Sequence, residues 1–172
     1  MRYLKGFIVA MTFFLVVFLA VGFVLPSDWR AERSVDVPAS SERVWTLVSD
    51  LREWDAWAPL GEVEGLFPGA TEGVGATREW DDRAWGSGSV TIREVVEGRS
   101  LVYDVRVEGG LETTGTITVE TAGASTTRVT WREEGDFGWN PLLSWFAWGM
   151  EARQGAQLQT GLERLAELFA GR

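Results

Sequence analysis

The chain has 172 residues, with 16 basic and 25 acidic side chains and neither cysteine nor histidine. This length predicts one domain with one buried core, and the net charge of −9 argues against nucleic acid as a partner, because its phosphates bind basic surfaces. Without Cys and His, the chain has no disulfide, no thiolate nucleophile, no imidazole-ligated zinc and no Ser-His-Asp catalytic set.

The first element along the chain is an apolar helix. Residues 6–25 carry no charge, and 14 of them are Val, Ile, Leu or Phe. At 1.5 Å per residue, twenty such residues match the ~30 Å hydrocarbon core of a bilayer. We therefore predict that residues 1–26 form a single-pass membrane anchor, with the membrane contacted through residues 6–25.

Two other interpretations of this segment remain. Ala20-Val21-Gly22 is a small-x-small triplet of the kind found at signal-peptide cleavage sites, although apolar residues continue past it to Leu25. A buried core helix is less favoured, because a helix that is apolar all round needs a larger protein to surround it. Arg2 and Lys5 before the helix predict a cytoplasmic N-terminus and an extracytoplasmic domain.

A strand and two helical segments follow. Residues 30–37 alternate in polarity toward Pro38, which predicts a strand. Ser40 or Ser41 is then a suitable N-cap for a helix whose apolar positions recur at helical spacing. Those positions are Val44, Leu47, Val48 and Leu51. A second short helical turn ends at Pro59 and Gly61.

From about residue 62 to residue 134 the apolar period changes to two, which predicts about six antiparallel strands with one wet face. Gly98 and Gly109-Gly110 mark hairpin turns. One face of the sheet is predicted to be apolar, and the residues that alternate with the apolar ones along each strand form the opposite, polar face. The apolar set is Leu101, Tyr103, Val105, Val107, Leu111, Ile117, Val119, Val129 and Trp131.

Asn140 and Pro141 predict the start of a long C-terminal helix, at its N-cap and first helical position. Its apolar stripe consists of Leu158, Leu162, Leu165 and Phe169. The fold class is therefore α+β, with a curved antiparallel sheet around this helix. Because one rod cannot fill the space where the strands diverge, we expect a cavity between helix and sheet.

Several segments resemble the polyketide cyclase/dehydrase and lipid-transport family of the START/Bet v 1-like superfamily. They are VPASSERVWTLVSDLREWDAWAP at 37–59, WGSGSVTI at 85–92, TRVTW at 127–131 and GLERL at 161–165. The resemblance extends over residues 30–170 and implies a helix-grip fold with an internal apolar pocket. It makes residues 27–172 a ligand-binding domain, while the lack of histidine departs from several enzymatic members of the family.

Aromatic residues are the candidate ligand-binding residues, because large rings with one polar atom suit a pocket wall. Core packing or contact with a nearby bilayer would also account for them. The candidates lie near loops or helix ends or, for Tyr103, on the apolar face. They are Trp54, Trp57, Trp80, Trp85, Tyr103, Trp139, Trp145 and Trp148, whereas Trp45 and Trp131 are predicted to be plain core.

The carboxylates give no catalytic or metal site at this level. Glu133 and Glu134 are adjacent on a strand, so they point to opposite faces and cannot converge on one substrate. Asp81 and Asp82 lie in a hairpin region, and all four are predicted to be solvated. No catalytic residue, metal or cofactor is assigned.

We therefore expect a membrane-anchored module that binds or transfers a hydrophobic small molecule or lipid. One alternative is a cyclase or dehydratase acting on an aromatic or polyketide-like substrate, with an arginine, Tyr103 or a carboxylate as its polar group. Another is a structural or partner-binding domain whose cavity is filled by its own side chains. The sequence does not indicate a protein partner.

Overall fold

The computed structural model describes residues 2–170. Its elements occur in the predicted order, with one apolar helix, one strand, two short helices, a strand meander and a long helix. The helices are α1 Arg2–Val24, α2 Ser41–Ser49, α3 Trp54–Trp57, a 3-10 turn at Pro59–Glu62, and α4 Pro141–Ala170. The strands are β1 Asp28–Val37, β2 Thr77–Asp82, β3 Gly86–Val96, β4 Ser100–Val107, β5 Leu111–Gly123 and β6 Thr126–Asp136.

The six strands form one curved antiparallel sheet in the order β1-β6-β5-β4-β3-β2. This confirms the predicted architecture, but the meander contains five strands rather than about six. The sixth strand of the sheet is β1, which crosses to pair with β6 along its whole length. Register shifts near Ile92 and Thr121 mark bulges, which increase the bend of a sheet.

The core lies between the sheet and α4. All four residues of the predicted stripe on α4 are buried, as are Leu101, Ile117 and Val129 on the facing side of the sheet. The predicted inward position of the Leu111 side chain lies outside what the structure describes. The α+β core thus follows from matching a helical stripe to an alternating apolar face.

The predicted N-caps of α4 and α2 differ in whether the side chain makes a capping hydrogen bond. Asn140 caps α4 as predicted, with its Oδ1 accepting the N–H of Leu142 at 3.0 Å. Ser40 occupies the N-cap of α2, but its side chain makes no capping bond. Its backbone carbonyl instead accepts the N–H groups of Arg43 and Val44.

Helix α1 packs against the start of α4. The Phe18 and Trp145 rings stack at 4.8 Å, and Trp145 Nε1 donates to the Phe18 carbonyl at 3.3 Å. Most other large side chains of α1 are exposed. By length and composition, Tyr3–Val24 could cross a membrane, and an N-terminal signal sequence would have the same properties.

Candidate functional site

A cavity of about 220 Å³ lies between α4 and the sheet. Its walls are largely aromatic, from α3 and from strands β2, β4 and β6, with the middle of α4 opposite. The aromatic lining residues are Trp54, Trp80, Trp85, Tyr103 and Trp131, and the polar ones are Thr113, Glu133, Gln154 and Gln157. Trp85 is 43% exposed while lining the cavity, so the cavity reaches the surface beside it.

One row of residues across the sheet forms the polar floor. Tyr103 on β4 is in register with Gly115 on β5, and Gly115 is in register with Glu133 on β6. A Cβ atom at position 115 would overlap the Tyr103 ring. The glycine therefore leaves room for the phenol to lie across β5 and reach the third strand.

A hydrogen-bond chain connects this row to α4. Trp131 Nε1 donates to the Tyr103 oxygen at 2.6 Å, and Tyr103 in turn donates to Glu133 Oε1 at 2.5 Å. Gln154 Nε2 donates to Glu133 Oε2 at 2.5 Å. Both carboxylate oxygens are thus engaged, and the chain fixes the position of Glu133 relative to the helix.

Glu133 is buried, and its environment changes its acidity. Burial raises the pKa of this carboxyl above its usual value, while the hydrogen bonds from Tyr103 and Gln154 partly oppose the shift. Burial, together with the neighbouring Glu133 charge, also raises the pKa of the Tyr103 phenol well above its usual value. The phenol is therefore neutral, and the carboxyl is the group that can exchange a proton.

The indoles of Trp54 and Trp57 attach the α3 side of the cavity wall to α2. Trp54 Nε1 donates to the Val48 carbonyl at 2.9 Å, and Trp57 Nε1 donates to the Leu47 carbonyl at 3.1 Å. The Trp54 ring lies 5.0 Å from the Tyr103 ring, edge to face. These bonds fix α3 against α2 and leave the aromatic surfaces for packing.

Trp80, on the edge strand β2, forms part of the cavity wall. Its ring lies over Gly88, its register partner on β3, where a Cβ atom would overlap the indole. Its Nε1 is buried and has no hydrogen-bond partner within residues 2–170. One donor in the cavity wall is therefore left unpaired.

Arg78 supports the lip of the cavity from behind. Its fully buried guanidinium pairs with Asp55 at 2.8 Å. The same Nη2 donates to the carbonyls of Leu60 and Val63, at 3.0 and 2.5 Å. This one side chain ties α3 and the 3-10 turn, whose Pro59 and Leu60 line the cavity, to strand β2.

The structure brings four of the eight candidate aromatic residues to the cavity, namely Trp54, Trp80, Trp85 and Tyr103. Trp57 is fully buried behind the wall, 5.2 Å from the Trp131 ring. Trp139, Trp145 and Trp148 lie at the start of α4, outside the cavity, because the sheet contacts the later turns of this helix. Trp139 and Trp148 are 91% and 81% exposed.

For three residues of the site, the sequence either predicted a different location or gave no prediction. Trp131, predicted to be plain core, is buried but also lines the cavity. Glu133, predicted to be solvated, is 5% exposed. The strand period indicates both positions, because Glu133 is two residues beyond Trp131 and so lies on the same face. No local pattern singles out Gln154.

This arrangement can hold an apolar guest and present one carboxyl and one phenol to it. Proton transfer needs a group with a tuned pKa within reach of a substrate, and Glu133 meets the first condition. Within the described residues, no group of three His, Cys, Asp or Glu side chains is placed to hold a metal ion.

Comparisons with known proteins agree with this fold. The model of the family described as polyketide cyclase / dehydrase and lipid transport matches residues 28–170. No curated protein matches the chain. Three similar solved structures, all under 25% identical to this chain, show a likeness of fold alone.

A protein from Thermobifida fusca is 22% identical, with a TM-score of 0.65, over 83% of this chain and 93% of that one. Norcoclaurine synthase from Thalictrum flavum, solved with dopamine and hydroxybenzaldehyde, is 15% identical, with a TM-score of 0.59, over 86% and 90%. DynU16, from the dynemicin biosynthetic locus, is 22% identical, with a TM-score of 0.59, over 83% of this chain and 48% of DynU16. The chain thus spans about half the length of DynU16.

Proposed function

Because the chain belongs to the polyketide cyclase/dehydrase and lipid-transport family, we propose that residues 27–172 form a domain that binds a hydrophobic small molecule in the cavity between α4 and the sheet. The observation that carries this proposal is an unfilled, aromatic-walled cavity of about 220 Å³. It weighs against a purely structural domain, whose interior side chains would fill the space.

The size of the cavity narrows the class of ligand. A cavity of about 150 Å³ in another protein binds benzene, so one of about 220 Å³ suits a molecule of one or two rings. A whole two-chain lipid would not fit inside without a large opening of α4. We therefore favour a small ring compound over an intact membrane lipid.

We further propose that α1 anchors the domain to a membrane, with residues 1–26 as the anchor and the N-terminus in the cytoplasm. From Gly6 to Val24, helix α1 carries no charge and exposes most of its large side chains, which supports this. So do Trp139 and Trp145, which lie against Phe23 and Phe18 of α1. Aromatic residues are enriched at the ends of membrane spans.

The binding proposal is tested with the full chain purified in a neutral detergent. Native mass spectrometry should detect a co-purified apolar molecule, and naphthylmethanol should quench tryptophan fluorescence in a saturable way. A Val90→Trp variant, which fills the cavity from the β3 wall, should abolish the response. An empty protein with no saturable response would contradict ligand binding.

A second candidate function is proton-transfer catalysis, as in a cyclase or dehydratase. Buried Glu133 in the cavity favours it, because a carboxyl with a raised pKa is suited to act as a general acid or base. Exchange of the acidic C–H protons of tetralone in D₂O would report such a base. The wild-type chain should accelerate this exchange and Glu133→Gln should not, whereas equal rates would rule out Glu133 as the base.

A further inference from the structure

Among the residues that the structure describes, Glu133 is the one charged residue that lines the cavity, and the other polar lining residues are neutral. Across residues 2–170, no Lys or Arg side chain forms a salt bridge with Glu133. A buried carboxylate without a positive partner is costly, because only hydrogen bonds, here those from Tyr103 and Gln154, then compensate its charge. A cation bound in the cavity would pair with this carboxylate and lower the cost of its burial.

The surroundings of Glu133 also favour a positive charge. The cavity walls include four tryptophan side chains and the Tyr103 ring. The faces of aromatic rings carry partial negative charge and attract organic cations, most strongly when water is excluded. Trp54, Tyr103 and Trp131 form one such cluster beside the carboxylate, with Trp131 bonded to the Tyr103 oxygen.

We propose that the ligand of this cavity is a hydrophobic organic cation, an amine or ammonium compound of one or two rings. Its charged nitrogen pairs with Glu133 and its apolar part lies among the tryptophans. This inference rests on the proposed function and specifies its ligand class. The same geometry disfavours fatty acids and other anions, because within the described part of the chain no basic residue lines the cavity and Glu133 would repel a carboxylate.

The test compares three compounds of similar shape and different charge by calorimetry on the full chain in neutral detergent at neutral pH. Naphthylmethylamine is a cation, naphthylmethanol is neutral and naphthoate is an anion. We expect the amine to bind about tenfold or more tightly than the alcohol, and naphthoate to bind most weakly. If the alcohol binds as tightly as the amine, the cation proposal is wrong while ligand binding stands. If none binds, both fail.

A matched pair of variants assigns the effect to one carboxylate. Glu133→Gln should reduce amine affinity to that of the alcohol while alcohol binding persists, which also shows that the variant is folded. Glu134→Gln changes the adjacent, exposed carboxylate on the opposite face and should leave the preference intact. An amine preference that survives in Glu133→Gln would overturn the assignment.

Discussion

The phenol of Tyr103 donates a hydrogen bond of 2.5 Å to Glu133, although the strands that carry these residues are not neighbours in the sheet. Strand β5 lies between them and presents Gly115 in register with both. Neighbouring strands are about 4.8 Å apart, so the Tyr103 and Glu133 side chains together have to span two strand spacings, and the phenol oxygen lies over Gly115. A long side chain lying over a glycine makes this contact possible.

Gly115→Ala should therefore destabilise the protein. The added methyl group overlaps the Tyr103 ring, and overpacking of this kind costs about 1–3 kcal/mol. Urea unfolding of the full chain in detergent, followed by tryptophan fluorescence, measures the change. Gly123→Ala on the same strand is the control, since its Cβ would make only ordinary contacts at 3.7 Å. Equal effects of the two substitutions would contradict the steric account.

Removing the Tyr103 ring should remove most of the loss of stability that Gly115→Ala causes. In a Tyr103→Ala background, Gly115→Ala should cost much less than in the wild type, because the overlapping atoms are absent. The free energies of unfolding of both single variants and the double variant give this coupling. Additive effects would show that Gly115 is needed for a reason other than the phenol.

Tyr103→Phe removes the phenol oxygen and leaves Trp131 Nε1 and Glu133 Oε1 without their present partners. Leaving buried polar groups unpaired costs about 1–3 kcal/mol, so the urea midpoint should fall. Tyr3→Phe is a matched control, because Tyr3 is 94% exposed and should tolerate the change. A midpoint equal to that of the wild type would mean that the hydrogen-bond chain adds nothing to stability.

The raised pKa of Glu133 predicts a specific pH dependence of stability. The ordinary pKa is 4.5 and the folded value is higher, so between them the folded state binds more protons than the unfolded state. The free energy of unfolding should therefore fall as pH rises through this window. Glu133→Gln removes that decline, and Glu134→Gln should retain it. Parallel curves for the wild type and Glu133→Gln would refute the prediction.

Both partners of the Arg78–Asp55 ion pair should contribute to stability. Arg78→Met removes the side-chain donor of the Val63 carbonyl and leaves the Leu60 carbonyl with only the Val63 N–H, and leaving a buried polar group unpaired costs about 1–3 kcal/mol. Asp55→Asn leaves the fully buried guanidinium without its counter-charge, so it should also lower the free energy of unfolding although the Asp55 side chain is half-exposed. Thermal unfolding midpoints give the comparison, with Arg106→Met as an exposed control. Unfolding midpoints equal to that of the wild type for both variants would contradict this prediction.

Local pattern was enough to predict the architecture. The change from helical to alternating spacing after α3, the cap at Asn140 and the stripe ending at Phe169 are all local signals. The same alternation that placed Tyr103 and Trp131 inside also places Glu133 inside. Glu133 was predicted to be solvated because a carboxylate prefers water. Its burial is compensated by hydrogen bonds from Tyr103 and Gln154, which are distant in the sequence.

The remaining differences depend on contacts between distant parts of the chain. Trp145 has the large ring and polar N–H expected of a pocket residue, but its ring stacks on that of Phe18, which lies 127 residues earlier in the chain. Helix α4 is 30 residues long, and the aromatic residues of its first turns do not themselves indicate whether they pack against the sheet or against another helix. The role of Gly115 likewise depends on register across three strands, which alternation alone does not specify.

Only Leu25, Pro26 and Ser27 separate α1 from β1. Three extended residues span at most about 11 Å, so if α1 is anchored in a membrane as proposed, the domain would stay within roughly a nanometre of the end of that helix. Hydrophobic amines accumulate in lipid, and a receptor held at that distance would meet them at the concentration of the membrane phase rather than that of the bulk solution. Modest intrinsic affinity would then suffice for high occupancy.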